Sequence, residues 1–129
     1  MDIVVIGTGG LAREFASFFA KEVNIVGFSS ANKNEFEEFS LSGKFFGSNI
    51  NPDIVGTNYA VLAIGSPNAK RAVSKNLKKL GFEFPNLVHS SAVSATQLDD
   101  KNCEGIIISP NCVIGPNVQF SNHVYLNFM

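Results

Sequence analysis

The feature that most restricts the fold of this chain is a six-residue period beyond His89. Ile108, Ile114, Phe120 and Leu126 recur every six residues, and Cys112, Val118 and Val124 each fall four residues after one of the first three. Gly115, Pro116, Asn117, Ser121 and Asn122 fill the turn positions between them. Helices repeat every 3.6 residues and strands every two, so neither accounts for this spacing. One large and one small apolar residue per hexad is instead the signature of a parallel β-helix, in which each hexad supplies a short strand and a turn. Three hexads, roughly 18 residues, make one coil of the left-handed form, and Ile108 to Leu126 covers one such interval. An irregular β-hairpin tail is the competing reading, but seven positions matched in one register argue against it.

Upstream the rules differ. Asp2-Ile3-Val4-Val5-Ile6 is β-branched without alternation, as a buried parallel strand requires. Gly7-Thr8-Gly9-Gly10 follows, and then Leu11, Phe15, Phe18 and Phe19 recur at helical spacing. Val23–Phe28 reads as a second strand, so the first 28 residues form a β-α-β unit. The stretch from Ser29 to Asn58 is polar and punctuated by glycine and proline. Within it Asn34–Phe39 reads as a short helix that turns Phe36 and Phe39 inward. Tyr59–Ile64 is a third strand ending on Gly65-Ser66-Pro67. Ser66 suits an N-cap and Pro67 a first helical turn, with the helix running through Arg71, Val73 and Leu77 to Leu80 and ending at Gly81. Leu87-Val88 reads as a short strand closing the sheet. The expected fold is α/β, a Rossmann-like parallel sheet with flanking helices over residues 1–88. The first coil or coils of a left-handed parallel β-helix follow over residues 89–129.

Gly7-x-Gly9-x-x-Ala12 satisfies the dinucleotide fingerprint, with alanine at its third small position. Gly7 permits the tight turn off the strand, and Gly9 and Gly10 let a ligand approach bare backbone. The helix that follows offers free N–H groups to a phosphate. A glycine turn that merely joins strand to helix is the plainer alternative. An NAD site also calls for an acid about 20 residues further on, at the end of the second strand. Phe28-Ser29-Ser30 holds neither that acid nor an arginine for a 2′-phosphate, and Lys33 nearby reads as a solvated loop residue. Gly65 and Ser66 belong on the same side of the sheet as the turn. Arg13 and Arg71 are candidate phosphate contacts, or simply exposed charges on helix faces. His89 reads as a packed junction residue and His123 as an exposed turn residue. No catalytic triad, acidic pair or metal cluster can be assembled.

A net charge of −1 gives no reason to expect nucleic acid or an anionic membrane as partner. The apolar runs fall far short of a membrane span. MDIVVIG has no basic region before it and reads as a first strand, not a signal peptide. Cys103 and Cys112 lack metal-ligand company and read as small apolar fillers in a reducing, cytoplasmic compartment.

The strand-GTGG-helix, the AIGSPNAKR segment, FPNLVHSSAVS and the hexads of ISPNCVIGPNVQFSNHVYLN together resemble the PglD/NeuD-type sugar acyltransferases. These have an N-terminal Rossmann-like nucleotide-sugar domain and a C-terminal left-handed β-helix. The resemblance covers nearly the whole chain. It implies transfer of acetyl from acetyl-CoA to an amine or hydroxyl of a nucleotide-linked, commonly UDP-linked, amino sugar for glycan or polysaccharide assembly, by a homotrimer. It further implies that Gly9, Gly10 and Leu11 lie at the nucleotide-sugar site and that Gly65 closes it. Ser29 and Ser30 fall where relatives often carry Asp-Asp, and Asn127 matches an asparagine near the family's active site. The family's catalytic histidine lies a few residues beyond Asn127, in the next coil. Ending at Met129, the chain is expected to be a fragment that retains the sugar-binding part without a catalytic residue. Most of the acetyl-CoA groove would be missing as well. Two readings compete with this one: a non-catalytic nucleotide-binding or assembly module, and a fragment of an NAD(P)-dependent enzyme.

Overall fold

The computed structural model describes residues 1–98 and 102–127. Residues 99–101, 128 and 129, which fall within the span assigned to hexads, lie outside the described residues. Two compact units are present, Met1–Glu83 and Phe84–Met129.

The first unit is built on β1 (Asp2–Ile6), β2 (Asn24–Ser29), β3 (Lys44–Phe45) and β4 (Ala60–Leu62), in the order β3-β2-β1-β4. Every pairing is parallel. Helices α1 (Gly10–Phe19), α2 (Lys33–Glu38), α3 (Pro52–Val55) and α4 (Pro67–Lys79) supply the connections. The chain leaves β1 toward β2 on one side and later returns to add β4 on the other. That reversal of direction opens a crevice at the carboxyl ends of the strands, where α/β sheets bind ligands.

Ile3, Val4 and Val5 are wholly buried, as their unbroken apolar run requires. Phe15 and Phe19 stack with ring centroids 4.7 Å apart. Each such aromatic contributes about 1.5–3 kcal/mol through burial. Ala12 is buried with them, while Leu11 and Phe18 are only half-buried. The apolar face of α1 is thus centred on Ala12, Phe15 and Phe19.

Several differences from the sequence reading have local causes. The two-residue β3 and the four-residue α3 are too short to leave any periodicity. Tyr59–Ile64 contracts to Ala60–Leu62, with Tyr59 in an isolated parallel bridge to Glu83 and its carbonyl accepting from the Val4 N–H at 3.0 Å. Helix α2 begins at Lys33 because the Asn32 side chain accepts from the Glu35 N–H and fixes its first turn. Phe36 turns inward as expected, between Phe28 and Phe45, at centroid distances of 5.9 and 5.3 Å. Phe39 does not join them. Its ring lies under the Arg13 guanidinium, 4.3 Å from ring centroid to Cζ, which gives that cation an aromatic partner. Ser66 caps α4 through the Ala69 N–H, and Leu80 and Gly81 end it by hydrogen bonds back to the last turn, as expected.

The second unit consists of β5 (Leu87–Val88), β6 (Val93–Ser94), β7 (Ile107–Ile108), β8 (Val113–Ile114) and β9 (Tyr125–Leu126). They form two parallel sheets, β5-β7-β9 and β6-β8. Leu87-Val88 therefore does not close the α/β sheet. It pairs with Ile107-Ile108, and the Leu87 and His89 N–H groups donate to the Ile106 and Ile108 carbonyls. Ile108 and Leu126, set one 18-residue interval apart by the hexad period, are register partners in parallel strands. Ile106, Ile108 and Ile114 form the core, flanked by Cys103, Cys112, Phe120, Val124 and Leu126. Val118, although in register with the hexads, stays 39% exposed.

The corners of this unit repeat as regularly as its strands. Gly105, Asn111, Asn117 and His123 all have left-handed backbone, at φ of 69°, 62°, 60° and 59°. Glycine adopts this conformation freely, and asparagine and histidine adopt it more readily than most residues. His123 is half-buried, not exposed as the sequence suggested. Its ring meets Phe84 edge-on at a centroid distance of 4.8 Å and lies against Gly105, where a Cβ would collide with Nδ1.

Candidate nucleotide-sugar site

The carboxyl ends of β1, β2 and β4 come together around a cleft of about 320 Å³. Its walls include Ile6 and Gly7 at the end of β1, Ser29 and Ser30 at the end of β2, Ile64 after β4, and Val73 and Leu77 from α4. The lining is largely apolar with a few hydroxyls, the usual character of a small-molecule site. Gly7 has φ +123°, and a Cβ there would stand 2.5 Å from the Ala63 carbonyl oxygen. Only glycine lets the chain leave β1 so close to the end of β4.

The predicted site residues separate into groups. Gly7, Ser29 and Ser30 line the cleft itself. Gly9 and Gly10 lie on the turn that opens α1, and nothing stands within 4 Å of where a Gly10 Cβ would be. Leu11 and Gly65 are neighbours, with Leu11 Cδ1 3.9 Å from the Cβ position of Gly65. The Ser66 hydroxyl serves as helix cap. Arg71 is exposed on α4 and donates from Nη2 to Asn68 Oδ1 at 2.6 Å. Partial burial holds Lys70, beside it in α4, below the ordinary lysine pKa. Asn127 belongs to the second unit, where it is exposed and its carbonyl accepts from Cys112 Sγ at 3.3 Å.

The two serines in the place of an acidic pair are not simply vacant positions. Ser29 is buried and donates its hydroxyl to the Gly47 carbonyl at 2.7 Å. Ser30 Oγ lies 2.8 Å from Thr8 Oγ1, and Thr8 donates to Glu35 Oε1 at 2.7 Å. A hydroxyl has one proton, so with Thr8 donating to the carboxylate it is Ser30 that donates to Thr8. Ser30 in turn accepts from the Asn32 N–H at 2.9 Å.

An acid therefore does stand at the glycine turn, delivered from α2 and not from the end of β2. Glu35 Oε2 lies 3.6 Å from where a Cβ on Gly9 would be. The sequence reading missed Thr8 and Glu35. One signal was there to find them: Asn32-Lys33-Asn34-Glu35 is the N-cap-x-x-Glu spacing of a helix start.

The histidines are engaged elsewhere. His89 Nδ1 accepts from the Ser91 N–H at 3.1 Å and also lies 2.8 Å from the Ser91 hydroxyl. His123 packs against Gly105 and Phe84. Among the described residues no three His, Cys, Asp or Glu side chains gather as a metal site, and no helix is long and apolar enough to cross a membrane.

No protein-family model and no curated protein matches the sequence, but the structure has clear neighbours. A histidine mutant of perosamine N-acetyltransferase from Caulobacter crescentus, solved with CoA and GDP-perosamine, has a TM-score of 0.78 at 18% identity. The match covers 98% of this chain and 60% of that one. The acetyltransferase domain of PglB from Neisseria gonorrhoeae gives 0.71 at 19% identity, over 98% of this chain and 62% of that one. The same domain in complex with acetyl coenzyme A gives 0.62 at 18%, over 98% and 61%. The chain thus spans about three fifths of the length of these neighbours. At such identities the likeness is one of fold, and the fold, mixed α/β with parallel sheets and flanking helices, is that of PglD/NeuD-like sugar acetyltransferases.

Proposed function

We propose that this chain is the sugar-nucleotide-holding portion of an acetyl-CoA-dependent sugar N- or O-acetyltransferase of glycan or polysaccharide biosynthesis. The observation that carries this reading is the cleft at the carboxyl ends of β1, β2 and β4, bounded by the glycine turn, in a chain with the fold of sugar acetyltransferases. Its ligand is a nucleoside-diphosphate amino sugar, UDP-linked as the family resemblance implies or GDP-linked as in the perosamine enzyme.

The second unit is read as the beginning of a left-handed parallel β-helix, the part through which members of the resembled family assemble as homotrimers. The support is the 18-residue pairing of Ile107-Ile108 with Tyr125-Leu126 and the left-handed corners spaced by six from Gly105 to His123. The half-buried thiols of Cys103 and Cys112 suit a reducing compartment such as the cytoplasm.

In the reaction, the sugar amine or hydroxyl attacks the thioester carbonyl of acetyl-CoA, a general base takes its proton, and the CoA thiol leaves. His89 and His123 are occupied by local packing and hydrogen bonding and are read as structural. Residues 1–129 alone are therefore expected to bind the sugar nucleotide without transferring acetyl.

Calorimetry of the chain against UDP-N-acetylglucosamine, a GDP-sugar, UMP, NADH and acetyl-CoA tests the reading. Sub-millimolar binding of a UDP or GDP species without NADH binding is the expected result. NADH binding alone would move the assignment to the NAD(P) class, and no binding of any of the five would leave an assembly module. Acetyl transfer by residues 1–129 would show that one of their own side chains serves as the general base.

A further inference from the structure

The Ser29-Ser30 pair has no proton left to offer a ligand, because one hydroxyl donates to Gly47 and the other to Thr8. Glu35 is in the opposite condition. Its backbone is fixed by the Asn32 cap, and its carboxylate is held at Oε1 by Thr8. A carboxylate offers about four acceptor positions, and Thr8 takes one. The other oxygen faces the turn, 3.6 Å from the Gly9 Cβ position. No side chain of Gly9 stands in the way, so a ligand lying along the bare turn meets this oxygen directly. A phosphate over Gly9 would meet like charge there, whereas a hydroxyl would find an acceptor already oriented.

We propose that Glu35, at the glycine turn beside the cleft, is a specificity-determining residue, accepting a hydrogen bond from the ribose 2′-hydroxyl of the nucleotide and turning phosphate away from Gly9. The proposal rests on the sugar-nucleotide reading above and adds the group that is recognised and the residue that recognises it. The chain Asn32 N–H to Ser30, Ser30 to Thr8, Thr8 to Glu35 runs in one direction and pre-orients the acceptor. Glu35 takes over, from a helix, the role the end of β2 does not fill in this sequence.

The test compares the affinities of UDP and GDP with those of their 2′-deoxy counterparts. A hydrogen bond to a charged acceptor is worth about tenfold or more, so the natural chain should prefer the ribose forms by about tenfold. Glu35→Ala should bring that ratio to about twofold or less while leaving the 2′-deoxy affinities nearly unchanged. Glu35→Gln, which keeps the shape, should lower the ratio to about threefold and raise the affinity for uridine 2′-phosphate by about fivefold. The second variant keeps the test decisive if the alanine variant folds poorly, and a merely structural role for Glu35 would not produce the gain for the phosphate. A ratio unchanged in both variants overturns the proposal and leaves the sugar-nucleotide reading standing. Failure of UDP and GDP to bind the natural chain overturns both.

Discussion

Gly7 lies so close to Ala63 that a Cβ on the glycine would stand 2.5 Å from the alanine's carbonyl oxygen. The Ala63 N–H donates to the Ile6 carbonyl at 2.9 Å, so the oxygen sits on backbone already committed to the sheet and cannot retreat cheaply. Gly7 also has φ +123°, which side chains with a Cβ rarely adopt. Gly7→Ala should cost about 3 kcal/mol of stability. Gly10→Ala, with open space around it at the start of α1, should be neutral or stabilising by up to about 1 kcal/mol. Urea midpoints of the two variants measure the contrast, and similar midpoints would contradict the geometry.

Thr8→Val preserves shape and removes the hydroxyl that links Ser30 to Glu35. Thr8 is almost fully buried, and the substitution removes both the acceptor of the Ser30 proton and the donor to Glu35. A loss of about 1–2 kcal/mol is expected. The Glu35 carboxylate would also be released from its fixed position, so the preference for ribose should weaken along with stability. Equilibrium unfolding and nucleotide titration of one variant read both effects.

In the second unit, Gly105→Ala would drive a methyl group into the His123 ring and strain a backbone at φ +69°. About 2 kcal/mol should be lost. In a His123→Ala background the collision disappears and the strain remains, so the cost should fall to about 1 kcal/mol. A double-mutant cycle on thermal or urea unfolding gives the difference, and additive effects would show that the ring does not rest on Gly105.

Arg71, by sequence either a phosphate contact or an exposed helix-face charge, donates to Asn68 one turn earlier in α4 and is exposed. Arg71→Ala should change nucleotide affinity by no more than about twofold, and stability by less than about 0.5 kcal/mol. A tenfold loss of affinity in calorimetry would instead make it a ligand contact.

What the sequence by itself determined here is whatever local chemistry can encode. The unbroken apolar run of β1, the Ser66-Pro67 start and Gly81 end of α4, and the interval between Ile108 and Leu126 all came through. In each case the signal is a cap, a turn residue or a period that acts within a few residues, or repeats until it cannot be mistaken. The tertiary structure decided which partners such pieces take. Leu87-Val88 is equally a strand in either unit by composition, and only the placement of Ile107-Ile108 beside it settles where it belongs. Phe39 has the same apolar character as Phe36, yet Arg13 across the fold gives it a different place. The site followed the same division. The glycine turn was legible because its conformation is local. The Thr8–Glu35 hydrogen bond joins residues 27 positions apart and forms only once α2 is folded back over the turn. No periodicity records such a contact, because its free energy depends on elements that other parts of the chain must first bring together.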